Sequence, residues 1–303
     1  MAKTPTSAFV CQSCGEVHSK WTGKCNGCGE WNTLVEEAVA AVPGGLAPAK
    51  AGTKRSNKTE FVALNDRTDP PKRIIMGVEE LDRAFGGGLV PSSATLIGGD
   101  PGIGKSTLLL QVAARLARNG LKSVYVSGEE AAAQIQERAV RLKVADSPVQ
   151  LATETDLRKI LAALKAAEPD FVVIDSIQTL WSDSLEAAPG SVSQVRACAQ
   201  ELTRWAKKSG AALVLVGHVT KEGNIAGPRG IFEMHQYGLA PAKEPSALFL
   251  SSDGDTSGGA AVFAAMEGSR PVLAEVQALV AKSAYGTPRR SVVGWDTGRL
   301  AML

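Results

Sequence analysis

No apolar run in this 303-residue chain approaches the roughly 18–20 residues that a membrane-spanning helix needs, which excludes a helical membrane protein. The opening MAKTPTSAFV has no apolar stretch behind a basic head, so a secretory leader is not expected. The expected location is the cytoplasm, without membrane. An excess of one charge is missing too. The chain has 33 Lys+Arg against 31 Asp+Glu, a formal net charge of +2, too small alone to announce a nucleic-acid partner. With 44% hydrophobic and 21% charged residues, the composition is that of an ordinary soluble protein, which excludes a wholly disordered chain. At roughly 150 residues per domain the length suggests about two domains.

The small net charge is unevenly spread. Residues 1–58 carry seven Lys/Arg and four Asp/Glu, and the rest carries 26 and 27. Residues 270–303 form a second basic patch, with Arg270, Lys282, Arg289, Arg290 and Arg299 against Glu275 and Asp296. A basic tail is most often a solvated face, so this distribution is only weak support for nucleic acid.

Cysteine is scarce, five in all, yet four fall together as Cys11-x2-Cys14-x10-Cys25-x2-Cys28. Each C-x2-C turn brings two thiolates to one point, and Gly15 and Gly29 let the backbone turn afterwards without a Cβ clash. Two such knuckles make a closed tetrahedral set of sulfurs, suited to structural Zn²⁺ with no open catalytic position. Two disulfides would fit the same residues but not a reducing compartment. His18 lies between the knuckles, but four thiolates complete the shell, so it reads as a solvent-facing polar residue. The fifth cysteine, Cys198, shares a helical face with Val195, Leu202, Trp205 and Ala206 and reads as a buried thiol.

Residues 1–35 thus read as a zinc finger. Residues 36–58, rich in Ala, Pro, Gly and Lys, read as a flexible linker that leaves the finger free to move. From 72 to 229 apolar strand candidates (94–98, 123–127, 171–175, 212–216) alternate with helical patterns near 105–118, 130–142, 156–167 and 194–208. That alternation predicts an α/β fold, a mostly parallel sheet with helices on both faces, over 59–240. From about 241 to 303 a turn-rich stretch and short strands around a Gly/Pro turn read as the start of a further domain.

Gly99-Asp100-Pro101-Gly102-Ile103-Gly104-Lys105-Ser106-Thr107 fits G-x4-G-K-[ST] between a strand and a helix. Glycines let the backbone wrap phosphates, and amides at the helix start point at negative charge. Lys105 is expected at the β- and γ-phosphates of ATP, and the Ser106 hydroxyl on Mg²⁺. Asp175, ending the apolar Phe171-Val172-Val173-Ile174, is placed as a Walker B carboxylate holding Mg²⁺ through water. The alternative is an N-cap for the helix that follows. Glu129 and Glu130 follow strand 123–127, where either could polarise the attacking water or simply favour a helix start. His218 ends strand 212–216, as a contact to the γ-phosphate or as a satisfied polar residue.

The run from Met76 to Val90, with Gly86-Gly87-Gly88, resembles the entry to RecA-like ATPase cores. Four cysteines with Lys20-Trp21-x-Gly23 and Trp31-Asn32-Thr33-Leu34 then precede the P-loop, Ser127-Gly128-Glu129-Glu130, Asp175-Ser176-Ile177-Gln178 and Gly217-His218-Val219-Thr220-Lys221-Glu222-Gly223. Together these resemble the RadA (Sms) family of bacterial recombination and repair ATPases. The resemblance implies a RecA-type fold and a DNA-dependent ATPase and helicase forming a hexameric ring. It implies action on single-stranded and branched DNA with RecA as partner, Glu129 as the catalytic glutamate and His218 as a sensor. Loops 182–193 and 220–229 would face DNA, with Lys221 and Arg229 on phosphates, although both loops could equally be solvated surface. A KaiC-like assembly switch without motor activity is the alternative.

The chain departs from the family twice. Past Gly227-Pro228-Arg229 the family continues through core strands and a Lys-Asn-Arg-Phe-Gly motif. Here Gly230-Ile231-Phe232-Glu233-Met234 follows at once and resembles the segment beyond, so either the stretch is deleted or the sequence joins residues flanking an unobserved one. The second reading fits better, because cutting core strands should ruin folding. Residues 241–303 resemble only the opening of the family's Lon-protease-like domain. No Ser/Lys pair can be assigned there, which argues against proteolysis.

Overall fold

The computed structural model describes residues 7–13, 15–38, 71–185, 187–218, 230–250, 259–267, 270–278, 280 and 282. Two compact units divide at Ala242, Met1–Ala242 and Lys243–Leu303.

The N-terminal ribbon is a three-stranded antiparallel sheet of β1 (Ser7–Cys11), β2 (Val17–His18) and β3 (Leu34–Ala38), in the order β2-β1-β3. Cys11 pairs with Leu34, and both side chains are buried with Cys25. Pairing with β1 continues to Ala38 opposite Ser7. β3 therefore takes the first three residues that composition assigns to a linker, while the remainder, 39–58, lies outside the described residues. The ribbon also touches the rest of its unit, because Arg196 Nη1 donates to the carbonyl of Gly15 at 3.0 Å. The expectation of a freely hung finger did not include that contact.

The larger part of the unit alternates strand and helix. Its elements are α1 (Glu79–Ala84), β4 (Ala94–Gly99), α2 (Lys105–Arg118), β5 (Ser123–Ser127), α3 (Ala132–Arg141), β6 (Gln150–Thr153), α4 (Leu157–Ala167), β7 (Phe171–Asp175), α5 (Val192–Ser209) and β8 (Ala212–His218). The five strands are parallel, in the order β4-β8-β7-β5-β6. Side chains alternate between two cores, as strand geometry demands. Tyr125, Phe171, Val173, Val214 and Val216 pack with Leu109, Val112 and Leu116 of α2 and Ile135 of α3. Val126, Val172, Ile174, Leu213 and Leu215 pack with Leu157, Ile160 and Leu164 of α4 and Cys198 and Leu202 of α5. Full burial of each large side chain stabilises the sheet by about 1.5–3 kcal/mol.

The four anticipated strands and four anticipated helices are present within two residues at each end. β6 was not anticipated. Its four residues, Gln-Leu-Ala-Thr, are half-exposed on the sheet edge and lack a β-branched apolar run. β4 forms the opposite edge, and Leu96 there is 51% exposed.

Beyond β8 a hairpin of β9 (Phe232–His235) and β10 (Gly238–Pro241) folds back on the start of α2. Gln111 of α2 grips it, accepting from the Leu239 N–H at 2.9 Å and donating to the Leu239 carbonyl at 3.4 Å. In the second unit, a 3₁₀ turn at Pro245–Phe249 precedes an antiparallel pair, β11 (Ala260–Glu267) and β12 (Arg270–Gln277). The anticipated strands around a Gly/Pro turn are these two.

Candidate functional site

Sheet register brings the chemistry-bearing strand ends to one edge. Gly99 pairs with His218, and Ser127 pairs with Asp175. In an open parallel sheet this carboxyl edge is where ligands bind.

The loop Gly99–Thr107 runs from β4 into α2, whose N-cap is Gly104 at φ 101°. Only glycine holds that conformation without strain. Space makes the same demand, since a Cβ on Gly104 would stand 2.7 Å from Leu239 Cδ1. Pro101, Gly102 and Ile103 are exposed, Asp100 is exposed before them, and Ser106 and Thr107 are half-buried at the first turn of α2. Lys105 is 9% exposed. Its Nζ donates to the carbonyls of Gly99 at 2.6 Å and Asp100 at 2.8 Å. The ammonium thus sits in the mouth of its own loop, where phosphate oxygens would replace the carbonyls.

Asp175 is 7% exposed. One carboxylate oxygen accepts from Tyr125 Oη at 2.5 Å, across two neighbouring strands. Burial first, and then the Asp175 charge, push the Tyr125 phenol far above its usual range, so it remains a donor. Ser176, fully buried and joined to Asp175 through a cis peptide, donates through Oγ to Glu129 Oε1 at 2.5 Å. Glu130 instead pairs with Arg138 of α3. The two adjacent glutamates therefore face different surroundings. Glu129 is held at the end of β7, and Glu130 is tied to a helix. Both their N–H groups point to Ser127 Oγ, at 3.4 and 3.0 Å.

His218 closes β8 beside the first residue of the loop; its side chain, like Lys221 and Arg229, lies outside the described residues, as does the junction 219–229. Sequence reasoning missed Tyr125, Ser176, Arg138 and Gln194. The last is 1% exposed, and its amide accepts from Ser182 N–H at 2.9 Å and donates to the carbonyls of Ser182, Leu185 and Ala187 at 3.0–3.3 Å. It pins the first half of the loop after Asp175 to α5. A buried amide at the first turn of a helix was the only available signal, and it is a weak one.

In the ribbon, the Sγ atoms of Cys11, Cys25 and Cys28 all lie within 4.8 Å of one another. Cys14 lies outside the described residues. The two knuckles share one hydrogen-bond pattern. Cys11 N–H donates to Glu16 O and Gly15 N–H to Cys11 O, as Cys25 N–H does to Glu30 O and Gly29 N–H to Cys25 O. Gly15 and Gly29 hold φ of 73° and 76°. Gly27 N–H donates to Cys25 Sγ at 3.3 Å, the kind of bond that favours a thiolate. Three convergent sulfurs, Cys11 and Cys25 buried and Cys28 exposed, with amide support on Cys25, fit Zn²⁺. His18 Nε2 is 3.5 Å from Cys25 Sγ and half-buried, so it leans on the cluster rather than facing solvent.

A parallel sheet in this order, with a P-loop at one strand end and carboxylates at two others on the same edge, defines a RecA-like P-loop ATPase fold, here preceded by a zinc ribbon. A family model described as an AAA domain matches residues 54–224, and one described as a rubredoxin metal binding domain matches 9–36. A protein of Brucella abortus named DNA repair protein RadA is 50% identical, the match covering 100% of this chain and 73% of that protein. Proteins of the same name from Bacillus subtilis (41% identical, 100% and 74% covered) and Pseudomonas aeruginosa (42%, 97% and 72%) are similar over the same extent. The chain belongs to the RadA family of DNA repair proteins. The Brucella match spans 344 positions, more than the 303 residues here, so that relative carries residues within the span that this chain lacks. A KaiC-like protein from Pyrococcus horikoshii overlays 57% of this chain and all of its own, at 17% identity and a TM-score of 0.46. Among the described residues no helix is long and apolar enough to cross a membrane.

Proposed function

We propose that the chain is a DNA-stimulated ATPase and helicase that remodels single-stranded and branched DNA during recombination, in a hexameric ring and with RecA as partner. Family membership supports the DNA repair part. The observation that carries the ATPase part is the pair of oriented carboxylates on the same sheet edge as the P-loop, Asp175 held by Tyr125 and Glu129 held by Ser176.

In this reading Lys105 exchanges two loop carbonyls for the β- and γ-phosphates, and the amides opening α2 bind the same oxygens. Ser106 and Asp175 would hold Mg²⁺, which when bound neutralises charge between those phosphates. Glu129 orients the attacking water and takes its proton, while Glu130 supports the turn through Arg138. Catalysis of this kind comes from positioning and charge neutralisation. His218 reports the state of the phosphate, and Lys221 and Arg229 hold DNA phosphates. The domain division is read as ribbon 1–35, linker 36–58 (less the residues of β3), ATPase 59–240 and the opening of a Lon-protease-like domain from 241. The change of compact unit at Ala242 supports the last boundary.

Hydrolysis of ATP with and without single-stranded DNA, by the intact chain and by Lys105→Ala, tests the proposal. Stimulation by DNA and its loss in the variant are expected. Undiminished stimulated hydrolysis by Lys105→Ala would overturn it.

A further inference from the structure

Two of the five tryptophans stand on the ribbon with large exposed surfaces, Trp21 at 56% and Trp31 at 69%. Indoles usually bury most of their area, so two exposed together need a cause. Local structure builds the pair on purpose. Lys24 and Trp31 form an antiparallel bridge, and Asn32 N–H donates to the Gly23 carbonyl at 2.8 Å. This small turn brings both rings close to Gly23. A Cβ on Gly23 would stand 3.5 Å from Trp31 and 4.0 Å from Trp21, in van der Waals contact with both rings. Glycine leaves a notch walled by indole. Lys24 Nζ lies 5.9 Å from the centre of the Trp31 ring, and Lys20 is exposed next to Trp21. Glu30, the carboxylate adjoining Trp31, is engaged by Ser13 Oγ. The zinc cluster uses none of these groups.

We propose that this notch is a stacking site for bases of single-stranded DNA, separate from the loops assigned to DNA under Proposed function, on whose DNA-binding reading it rests. Aromatic faces that take bases without reading sequence, flanked by cations for the phosphates, are the elements of such sites. A protein partner fits less well. A specific protein interface covers about 800 Å² on each side with an apolar centre sealed by a surrounding rim. Here the neighbouring sequence offers Lys20, Thr22, Lys24 and Asn26, all exposed and polar. The site adds affinity for strand without base preference, and salt weakens its phosphate part.

The test measures binding of a labelled oligothymidylate to the full chain by anisotropy, with zinc content recorded for each variant. Trp21→Ala and Trp31→Ala are each expected to weaken binding about tenfold, with zinc retained. Phe at both positions should restore most of the affinity. Because truncation could disturb the ribbon, a second measurement keeps both indoles. In a chain with Trp181, Trp205 and Trp295 replaced by Phe, the remaining fluorescence should be quenched by the oligonucleotide. Zinc-replete Ala variants that bind like the parent chain, or unquenched fluorescence, would overturn the site while leaving the ATPase reading intact. RecA association lost in those variants with DNA binding unchanged would likewise overturn it, in favour of a protein partner. A parent chain that neither binds the oligonucleotide nor is stimulated by it would overturn the proposed function and this site together.

Discussion

Replacing Tyr125 by Phe removes one oxygen atom from the fully buried side of the sheet and changes nothing else in shape. In the intact protein that oxygen donates to Asp175 at 2.5 Å, and Asp175 is itself 7% exposed. A hydrogen bond to a charged group contributes about 1.5–3 kcal/mol, and a buried acceptor left without its donor bears the desolvation cost. For a unit of this size 1 kcal/mol moves Tm by about 2–4 °C, so Tyr125→Phe should melt about 3–12 °C lower. In the proposed reading, where Asp175 holds Mg²⁺, the carboxylate released on one side should also hold the ion less well. The Mg²⁺ concentration for half-maximal ATP hydrolysis should then rise severalfold, with less change at saturation. Scanning calorimetry without nucleotide reads the first effect, and a Mg²⁺ titration of hydrolysis reads the second. A variant with unchanged Tm and unchanged Mg²⁺ dependence would refute the idea that Tyr125 positions Asp175.

Gln194→Ala should free the segment 182–187, costing about 1–3 kcal/mol for the backbone groups that lose partners, and limited proteolysis should then cut there first. Uncut Gln194→Ala protein of full stability would contradict the pinning role. Burial pushes the Cys198 thiol up to about 11, so it stays protonated and unalkylated in the native protein at pH 8. The sign follows from linkage: the unfolded chain ionises this thiol near its ordinary pKa and the folded one does not. The Cys198 contribution is therefore fully present below about pH 8.5 and is lost as pH rises towards 11; a Cys198→Ala variant with the same alkaline stability slope would be inconsistent with it. Chelation of zinc should melt the ribbon alone, because its cluster of Cys11, Cys25 and Leu34 with Phe9 is too small to stand without metal. Near-complete retention of sheet circular dichroism is expected, and global unfolding would contradict it.

The elements that were legible in the sequence are those with strong local signals. Phe171-Val172-Val173-Ile174 is apolar throughout because both faces of β7 are covered, and such runs advertise themselves. The P-loop and the knuckles were equally plain, since phosphate and zinc chemistry fix residue type and spacing. β6 was not, because an edge strand of four residues needs little apolarity. What links the site was also invisible. Tyr125 and Asp175 are fifty residues apart in sequence and meet only through register between β5 and β7. The different partners of Glu129 and Glu130, Ser176 and Arg138, were equally hidden, because local pattern does not connect them.

The position of β4 has a consequence for how the protein is made. Among the described strands β4 pairs with β8 alone, Ala94 opposite Leu213. Every other strand of that sheet leaves the ribosome in between. At 5–20 residues per second, the P-loop strand waits on the order of ten seconds for its partner. Throughout that interval the N–H and C=O groups along its edges lack a strand partner. The nascent Leu96-Ile97 stretch therefore stands without a strand partner until β8 has been made.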